Sequence, residues 1–248
     1  MLKKERHDLI MRQINLHNRV LTSDLVTLLN VSEDTIRRDL QELSEDKRLI
    51  KVHGGALSTS YQSSFDDVNV YARDAKRSIA KKAIGLIKDG MVILTGGGTT
   101  LIELAKLLPP HLSATFFTIS PYVAIELAKY EKLEVILIGG LFSKNSQVTY
   151  GSHVISQLAE INVDLCLIGT SAVHPSDGLT DTDWEINQLK KKMLSSSKQA
   201  AILCISEKLN TTQRLKVAAL DNFNYLITEL DASHTALNDY RIKALKIL

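Results

Sequence analysis

Cysteine, proline and aromatic residues are all scarce in this sequence. Its 248 residues include two cysteines, four prolines and 12 glycines, and aromatic residues make up 5% of the chain. Cys166 and Cys204 both lie inside apolar runs typical of strands, so we interpret them as small buried side chains rather than as a disulfide or a metal site. We therefore expect no metal, no cofactor and a reducing, cytoplasmic setting.

Long hydrophobic runs are missing as well. No apolar stretch approaches the roughly 18 residues of a membrane span. The first residues, MLKKERHDLI, are basic but lack the apolar region of a secretory signal. With 44% hydrophobic and 23% charged residues, the composition is that of a globular protein with enough apolar side chains for a core. The length allows one large or two ordinary domains, and we expect no membrane partner.

A surplus of charge of either sign is also absent. The formal net charge is +2, and residues 1–57 contain ten lysines and arginines against nine aspartates and glutamates. A nucleic-acid function must therefore depend on where the positive charges lie, not on their sum. We would expect modest nonspecific affinity and binding as a homo-oligomer, because two recognition helices on paired half-sites double the phosphate contacts.

Residues 22–43 have the pattern of two short helices joined by a tight turn. Before them, residues 3–17 suggest a helix. Ser32 is a favourable N-cap for the helix that follows the turn at residues 30–31. In that helix Ile36, Leu40 and Leu43 share one stripe, which predicts a buried face. The apolar positions expected inside the two preceding helices are Leu9, Ile10 and Ile14, and Leu25, Val26, Leu28 and Leu29.

This arrangement is helix-turn-helix geometry, and it places Arg37 and Arg38 on the exposed side of the second helix. Such a helix fits the major groove of DNA, where serine and threonine bond phosphates or bases and arginine contacts guanine at two points. Residues 49–52 predict a strand and residues 53–55 a glycine turn, which together form a wing. The candidate contacts to a double-stranded DNA operator are Ser32, Glu33, Thr35, Arg37, Arg38, Lys51, His53 and Gly54.

Simpler interpretations exist for these charges. Arg37 and Arg38 are also explained as solvated helix residues, with Glu33 and Arg37 forming an ordinary i,i+4 pair. Arg12 and Arg19 fit phosphate contacts and plain solvation equally well. The cap, turn, buried stripe and wing nevertheless agree with one another, and agreement across levels favours the DNA-binding interpretation.

The composition changes sharply after residue 57. Residues 58–74 are rich in serine, aspartate and asparagine, which predicts a linker. Within it Phe65, Val68 and Tyr71 remain candidates for docking on the next domain. We therefore expect a DNA-binding domain at residues 1–57, the linker, and a second domain at residues 75–248.

The second domain alternates between helical stretches and apolar runs. Continuous apolar runs suit strands buried on both faces, and helices between them imply right-handed crossovers. We predict an α/β domain with an open sheet of about six mainly parallel strands, whose ligand lies at the carboxyl ends of the strands. The predicted strands are residues 91–95, 114–119, 133–138, 163–168, 200–205 and 224–228.

The first of these strands runs into a turn of three glycines and two threonines. Gly96, Gly97, Gly98, Thr99 and Thr100 precede a helix, so free backbone amides, two hydroxyls and a helix N-terminus converge there. That arrangement suits a phosphate. A turn that only packs closely is the alternative, and the stretch lacks both the lysine of a P-loop and the spaced glycines of a dinucleotide site.

Later strands end in similar polar or glycine turns, and residues 177–180 are expected to form a polar loop before the next helix. Because the carboxyl ends of parallel strands share one edge, we expect these residues to contribute to the same effector site. The alternative interpretation, for any one of these residues considered alone, is that it simply lies in a solvated loop. The remaining effector candidates are Gly139, Gly140, Lys144, Gly169, Thr170, Asp177 and Lys208.

The chain resembles the DeoR family of bacterial regulators. The resemblance rests on VSEDTIRRDLQEL and LIKVHGGAL near the N-terminus and on GGGTT, GG, IG, DGLT and Lys208 further on. It implies a winged helix-turn-helix followed by a sugar-phosphate-sensing domain similar to ribose-5-phosphate isomerase and the CoA transferases. Thr95, Ile119 and Ile205 stand where the family usually has polar residues, Asp, Asn and Asp, so the phosphate turn is kept but the sugar-contacting residues are altered.

We therefore expect a transcriptional regulator that acts as a repressor of sugar-metabolism genes and is controlled by a phosphorylated sugar or a related metabolite. A sugar-phosphate isomerase is disfavoured because catalysis needs a positioned carboxylate base. Only Asp181, Asp183 and Glu185 are near, and no turn requires them in that role. A second domain that serves only for assembly is the third possibility.

Overall fold

The computed structural model describes residues 1–17, 19–59 and 70–248. The chain divides into two compact units, Met1–Tyr71 and Ala72–Leu248. Most of the predicted linker, with Phe65 and Val68, lies outside the described residues. At its two ends Ser58 closes a strand and Arg73 opens a helix. In the part of the chain that is described, no helix is both long enough and apolar enough to cross a membrane.

The first unit combines three helices with a small antiparallel sheet. The elements are α1 (Lys3–His17), β1 (Arg19–Leu21), α2 (Thr22–Leu29), α3 (Glu33–Glu45), β2 (Leu49–Val52) and β3 (Gly55–Ser58). The strands pair in the order β1-β3-β2. The three helices and the wing strand confirm the sequence predictions. The strand β1 was not predicted, because three residues are too few to establish a period.

The buried face of α3 is the one that the periodicity predicts. Ile36, Leu40 and Leu43 are at most 1% exposed and pack in one cluster with Ile10 and Ile14 of α1. Two other expectations were wrong, since Leu9 of α1 is 36% exposed and Leu28 of α2 is 56% exposed. Both lie at the edge of a wide apolar stripe, and spacing alone does not tell which side of such a stripe meets the core.

The wing turn uses its two glycines for different reasons. Gly54 has φ +75°, a conformation that costs little only without a Cβ. Gly55 instead begins β3 beside β1, where a Cβ would lie 2.0 Å from the carbonyl oxygen of Val20. The turn therefore needs backbone freedom at one position and close strand approach at the next.

The second unit is an α/β domain built on a seven-stranded sheet. Its order is β15-β14-β12-β9-β4-β5-β6, and every neighbouring pair is parallel. The sheet strands are β4 (Val92–Thr95), β5 (Ala114–Thr118), β6 (Leu133–Leu137), β9 (Val163–Gly169), β12 (Ser197–Leu203), β14 (Tyr225–Ile227) and β15 (Lys246–Ile247). The helices are α4 (Arg73–Ile84), α5 (Thr99–Lys106), α6 (Pro121–Leu127), α7 (Ser152–Ala159) and α8 (Trp184–Ser195).

Two smaller antiparallel sheets accompany the main one. They are formed by β7 (Leu141–Ser143) with β8 (Val148–Tyr150), and by β10 (Ala172–His174), β11 (Gly178–Asp181) and β13 (Leu215–Ala218). Short 3-10 helices occupy Ser206–Lys208, Leu220–Asn222 and Thr235–Tyr240.

All six predicted parallel strands are present, with ends that differ by up to three residues from the expected ones. The two-residue strand β15 was missed. The polar loop expected at residues 177–180 was wrong beyond its first residue, because residues 178–180 lie in the buried strand β11. Pairing with β10 and β13 supplies the backbone partners for that segment, and such long-range pairing leaves no local sequence signal.

Candidate DNA-binding surface and effector site

The recognition surface of the first unit lies on the outer side of α3. The Ser32 hydroxyl caps the helix by accepting a hydrogen bond from the Thr35 amide at 3.3 Å. Arg37 and Arg38 are exposed, while their neighbour Ile36 is fully buried. The helix therefore presents its arginines to solvent, as the sequence predicted.

Two of the predicted contact residues already have partners in the free protein. Arg37 Nη2 lies 2.6 Å from Glu33 Oε1, so the expected i,i+4 pair is present. Lys51 Nζ of the wing donates to Gln41 Oε1 of α3 at 2.8 Å. Exposed pairs of this kind contribute little free energy, so both cations can exchange these partners for phosphates or bases.

An open depression separates the outer face of α3 from the wing. Its volume is about 510 Å³. His53 and Gly54 lie in the exposed turn at the tip of the wing. The side chains that line the depression are Asp34, Arg37, Arg38, Gln41, Glu42 and Lys51.

A buried carboxylate that sequence reasoning missed fixes α3 against α1. Asp39 is 2% exposed, and it accepts hydrogen bonds from the Arg6 guanidinium while His7 Nε2 lies 3.0 Å from its Oδ1. Burial would raise the pKa of Asp39, but the hydrogen bonds from Arg6 and His7 outweigh it and hold that pKa below its usual value. The sequence did contain a signal for this ion pair: Asp39 is a charged residue next to the apolar stripe of α3, and a buried charge needs a partner.

In the second unit, the glycine turn connects β4 to α5. Gly98 has φ +107° and is the N-cap of α5, and a Cβ there would meet open space. Gly97 is tighter, since a Cβ would lie 2.3 Å from Val148 Cγ1. Among the described residues, no acceptor lies within hydrogen-bonding distance of the Thr99 or Thr100 amides. The first turn of α5 thus keeps free donors beside an open glycine, which is a suitable place for an anion.

The end of β9 lies against this turn. A Cβ on Gly169 would be 3.3 Å from the Gly97 carbonyl oxygen, and Thr170 follows at once. Lys208 Nζ donates to the Thr170 carbonyl oxygen at 2.7 Å. The structure therefore brings together residues 96–98, residues 169–170 and Lys208, which are far apart in the sequence.

The two adjacent glycines Gly139 and Gly140 have different surroundings. A Cβ on Gly140 would lie 2.4 Å from Val154 Cγ2 and 2.8 Å from the Tyr150 carbonyl oxygen, whereas Gly139 has open space. Lys144 is exposed in the turn between β7 and β8. Thr149 Oγ1 of β8 lies 3.0 Å from the Ile119 carbonyl oxygen, so this hairpin is attached at the end of β5.

Asp177 lies in the turn between β10 and β11. Its carboxylate accepts a hydrogen bond from Thr212 Oγ1 at 2.8 Å and lies 3.6 Å from His174 Nδ1. Within the described chain, no hydrogen bond or ion pair connects it to the glycine turn or to Lys208. Of the predicted effector residues, Asp177 is thus engaged by its own neighbours.

Two lysines near Lys208 were not predicted. Lys76 of α4 is only 8% exposed. Burial lowers its pKa to about 7, and the positive charge of Lys208 adds to that effect. Lys190 of α8 pairs with the buried carboxylate of Asp181 at 2.6 Å. Both lysines lie in helices with several other basic residues, so nothing in the sequence distinguishes them.

Burial likewise lowers the pKa of Lys208 to about 8, with the charge of Lys190 acting in the same direction. The turn that carries Lys208 is held by Glu229, at the end of β14. Its carboxylate accepts hydrogen bonds from the Ser206 amide at 3.0 Å and from the Ser206 hydroxyl. Glu229 therefore positions the 3-10 helix that presents Lys208.

Both units match known protein families. Residues 72–230 match the DeoR C terminal sensor domain, and residues 6–62 match the DeoR-like helix-turn-helix domain. The chain belongs to the DeoR family of transcriptional regulators. Members of this family that it resembles are regulators and not enzymes, so the isomerase alternative is discarded. As a DeoR-family regulator, the protein binds DNA through its helix-turn-helix unit.

Several curated relatives match nearly the full length of this DeoR-family regulator. The HTH-type transcriptional repressor GlcR of Bacillus subtilis is 35% identical, over 92% of this chain and 89% of its own. The regulator GlpR of Haloferax volcanii is 31% identical, over 94% and 92%. The regulator GolR of Listeria innocua is 29% identical, over 91% and 90%.

Solved structures match less closely. Ribose 5-phosphate isomerase A of Methanocaldococcus jannaschii is 22% identical with a TM-score of 0.41, over 55% of this chain and 54% of the isomerase. The regulator thus spans about half the length of that enzyme. The translation initiation factor eIF-2B of Pyrococcus horikoshii OT3 is 14% identical with a TM-score of 0.45, over 92% and 82%.

The three positions at which this regulator departs from the usual family pattern are all buried. Thr95 is 0%, Ile119 3% and Ile205 4% exposed, at the ends of β4, β5 and β12. Thr95 Oγ1 has no hydrogen-bond partner in the described part of the chain. The two apolar side chains at this edge have no group that could donate or accept a hydrogen bond.

Proposed function

We propose that this regulator is a cytoplasmic repressor of sugar-metabolism genes. In this proposal a phosphorylated sugar binds the second unit and sets the affinity of the first unit for a double-stranded operator. The observation that carries the proposal is the open helix N-terminus at Gly98, Thr99 and Thr100, with Lys208 attached to the neighbouring strand end.

On the DNA side, α3 enters the major groove with Arg37 and Arg38 towards base edges. Ser32 and Thr35 lie at the start of the same helix, and Glu33 holds Arg37 until DNA competes for it. The wing adds Lys51, His53 and the Gly54 backbone as contacts to phosphates. Support comes from their exposure on one side of the unit and from the family match over residues 6–62.

On the effector side, a phosphate accepts hydrogen bonds from the free amides and from the hydroxyls of Thr99 and Thr100, and the positive end of the α5 dipole favours it. Residues 96–98 and residues 169–170 form the adjoining wall. Gly139 follows β6, which is separated from β4 by one strand in the sheet, and Gly140 is packed next to it. Lys144 lies in the β7–β8 hairpin, which is attached to that edge.

The names of the relatives support a sugar-operon role. GlcR is named a repressor, and two further relatives are named the putative aga operon transcriptional repressor of Escherichia coli O157:H7 and the L-fucose operon activator of Escherichia coli K12. Repression is the proposal because the 35%-identical relative is a repressor. A homo-oligomer completes the proposal, since paired half-sites place two recognition helices on one operator.

Fluorescence anisotropy with a labelled duplex from the region upstream of the regulator's own gene tests the proposal. We expect sequence-selective binding, and a change of about 5- to 150-fold in affinity when the right sugar phosphate is added. The Thr99→Ala and Thr100→Ala variants should bind DNA normally but respond less to the sugar phosphate. No sequence-selective binding at any salt concentration, with or without sugar phosphates, would overturn the proposal.

A further inference from the structure

Glu103 is a buried carboxylate in the middle of α5. It is 1% exposed, and among the described residues neither of its oxygens has a hydrogen-bond partner. A buried charge without hydrogen bonds is costly, so it depends on nearby cations. Three of them surround its oxygens: Arg73 Nε at 3.5 Å, Arg77 Nη1 at 3.8 Å and Lys106 Nζ at 4.0 Å. The carboxylate is thus held in the protein by ion pairs.

Two of these cations belong to α4, the helix that opens the second unit. α4 begins at Arg73, directly after the boundary between the two units at residues 71 and 72. Arg77 lies one turn further along the same helix. The ion pairs of Glu103 therefore connect α5 to the place where the chain from the DNA-binding unit enters the second unit.

The two halves of α4 are anchored differently. The second half is fixed by apolar side chains that are fully buried, namely Ile79, Ala80 and Ala83. Among residues 73–77, in contrast, no apolar side chain is buried. The N-cap Ala72 has φ +51°, which is unfavourable for a residue with a Cβ, and it supplies no side-chain cap. The start of α4 therefore depends on its charged side chains, and a change at Glu103 shifts it.

At its other end, α5 carries the proposed phosphate site. The helix has eight residues, Thr99–Lys106, so it spans only about 12 Å and behaves as one rigid element. Thr99 and Thr100 lie about one helical turn before Glu103. A phosphate bound by them repels the Glu103 carboxylate and attracts the cations around it.

The ion pairs of Glu103 have room to respond. Their distances of 3.5–4.0 Å are longer than the roughly 2.7–2.9 Å of a charge-assisted hydrogen bond. A shift of α5 by about 1 Å is therefore enough to tighten or release them.

We propose that Glu103 is a positioning residue that transmits occupation of the phosphate site to the start of α4. This inference rests on the proposed function, because it needs a phosphate at the first turn of α5. The phosphate prefers one arrangement of the ion pairs, and such a preference is the condition for any coupling between two sites. The start of α4 then passes the change to the segment that leads to the DNA-binding unit.

Calorimetry and fluorescence anisotropy on the full chain test the inference together. The probes are glucose 6-phosphate, fructose 6-phosphate and ribose 5-phosphate, and the DNA is the duplex from the region upstream of the regulator's own gene. In the wild type, the probe that binds should change the DNA affinity about 5- to 150-fold. In Glu103→Gln that change should fall to about twofold or less, while the affinity for the probe changes less than about threefold.

A second variant tests the same ion pair from its more exposed side. Arg77, whose side chain is 41% exposed, should lower the response when it is changed to glutamine. The double variant Glu103→Gln with Arg77→Gln should respond no less than either single variant, because both changes remove one interaction. Glu126→Gln on α6, which breaks the pair with Lys129, is the control and should keep the full response.

Hydrogen exchange gives a readout that a purely structural role would not change. In the wild type, the probe should alter the exchange of the amides of residues 74–78, and in Glu103→Gln it should not. Circular dichroism checks that each variant is folded, and if Glu103→Gln is not, Arg77→Gln decides.

The outcomes separate this inference from the proposed function. A full response in the folded variants overturns the inference and leaves the proposed function standing. A loss of more than about tenfold in probe affinity in Glu103→Gln places Glu103 in the binding site itself and also overturns the inference. If the wild type binds none of the three probes, or binds one without a change in DNA affinity, the inference and the proposed effector control both fail.

Discussion

The Arg6 guanidinium and the Asp39 carboxylate form a two-point contact that joins α1 to the recognition helix α3. Arg6 Nη2 donates to Asp39 Oδ1 at 2.9 Å and Arg6 Nε donates to Oδ2, with the Asp39 side chain 3% exposed. Asp39 follows Arg37 and Arg38 directly. The same helix turn therefore fixes a buried ion pair on one side and presents the arginines on the other.

Replacing Asp39 with asparagine should loosen α3, because it leaves the half-buried Arg6 guanidinium without its counter-charge. We expect the local free energy of opening to fall by about 3 kcal/mol, measured by hydrogen exchange of the α3 amides in the full chain. Glu33→Gln, which breaks the exposed pair with Arg37, should cost less than about 1 kcal/mol. Equal losses in the two variants would contradict a structural role for Asp39.

The same ion pair predicts acid sensitivity. The pKa of Asp39 is lower in the folded protein than in the unfolded chain, so its stabilisation is complete above the unfolded value of about 4. It is lost as pH falls through the lower, folded value. Exchange protection of α3 should therefore decrease below about pH 4, and Asp39→Asn should lack that part of the decrease. If the exchange protection of α3 decreased with pH equally in the wild type and in Asp39→Asn, Asp39 would not be the source of the acid sensitivity.

Arg38 and Lys51 should differ in how they affect DNA binding. Arg38→Ala should cost about 1–3 kcal/mol on the preferred operator and relax base preference at one position. Lys51→Ala, in the wing, should weaken binding to all sequences and reduce the slope of affinity against salt by about one. Anisotropy titrations on operator and substituted duplexes at several salt concentrations separate the two. If Arg38→Ala lowered the affinity equally for all duplex sequences, Arg38 would not be a base-contacting residue.

Gly139 and Gly140 should respond differently to alanine. A Cβ on Gly140 meets Val154 and the Tyr150 backbone, so Gly140→Ala should destabilise the second unit by about 1–3 kcal/mol. A Cβ on Gly139 meets open space, and its φ is not positive, so Gly139→Ala should change stability by less than about 0.5 kcal/mol. Thermal unfolding followed by circular dichroism measures both. A neutral Gly140→Ala would show that the β8–α7 connection moves away easily.

Effector binding should take up protons near neutral pH. The pKa values of Lys76 and Lys208 are lowered to about 7 and about 8 in the free protein, chiefly by burial. An anion bound beside Lys208 favours its charged form, so binding raises the pKa of Lys208 and affinity falls as pH rises from about 7 to 9. Calorimetry in two buffers of different ionisation enthalpy gives the number of protons taken up. That number should decrease in Lys208→Gln, and an unchanged number would exclude Lys208 from the coupling.

Local patterns in the sequence were sufficient for the helices of the first unit and for most of the parallel strands. Ile36, Leu40 and Leu43 repeat at helical spacing, and Ser32 is a cap, so α3 and its exposed arginines follow from residues within one or two turns. The glycine turn is equally local, because three glycines between a strand and a helix are adjacent in the chain. The family resemblance rested on the same short stretches.

Tertiary structure decided which distant side chains meet. Asp39 finds Arg6 33 residues away, Lys208 reaches Thr170 38 residues away, and Lys76 is brought near Lys208 only by the packing of α4. The pairing of β11 with β10 and β13 likewise turned a predicted polar loop into a buried strand. The sequence by itself determined the helices of the first unit, the buried stripe of α3 and six parallel strands, since these depend on neighbours in the chain. Which charges are buried and paired depends on contacts between residues far apart in the chain, and no local sequence pattern predicts those contacts.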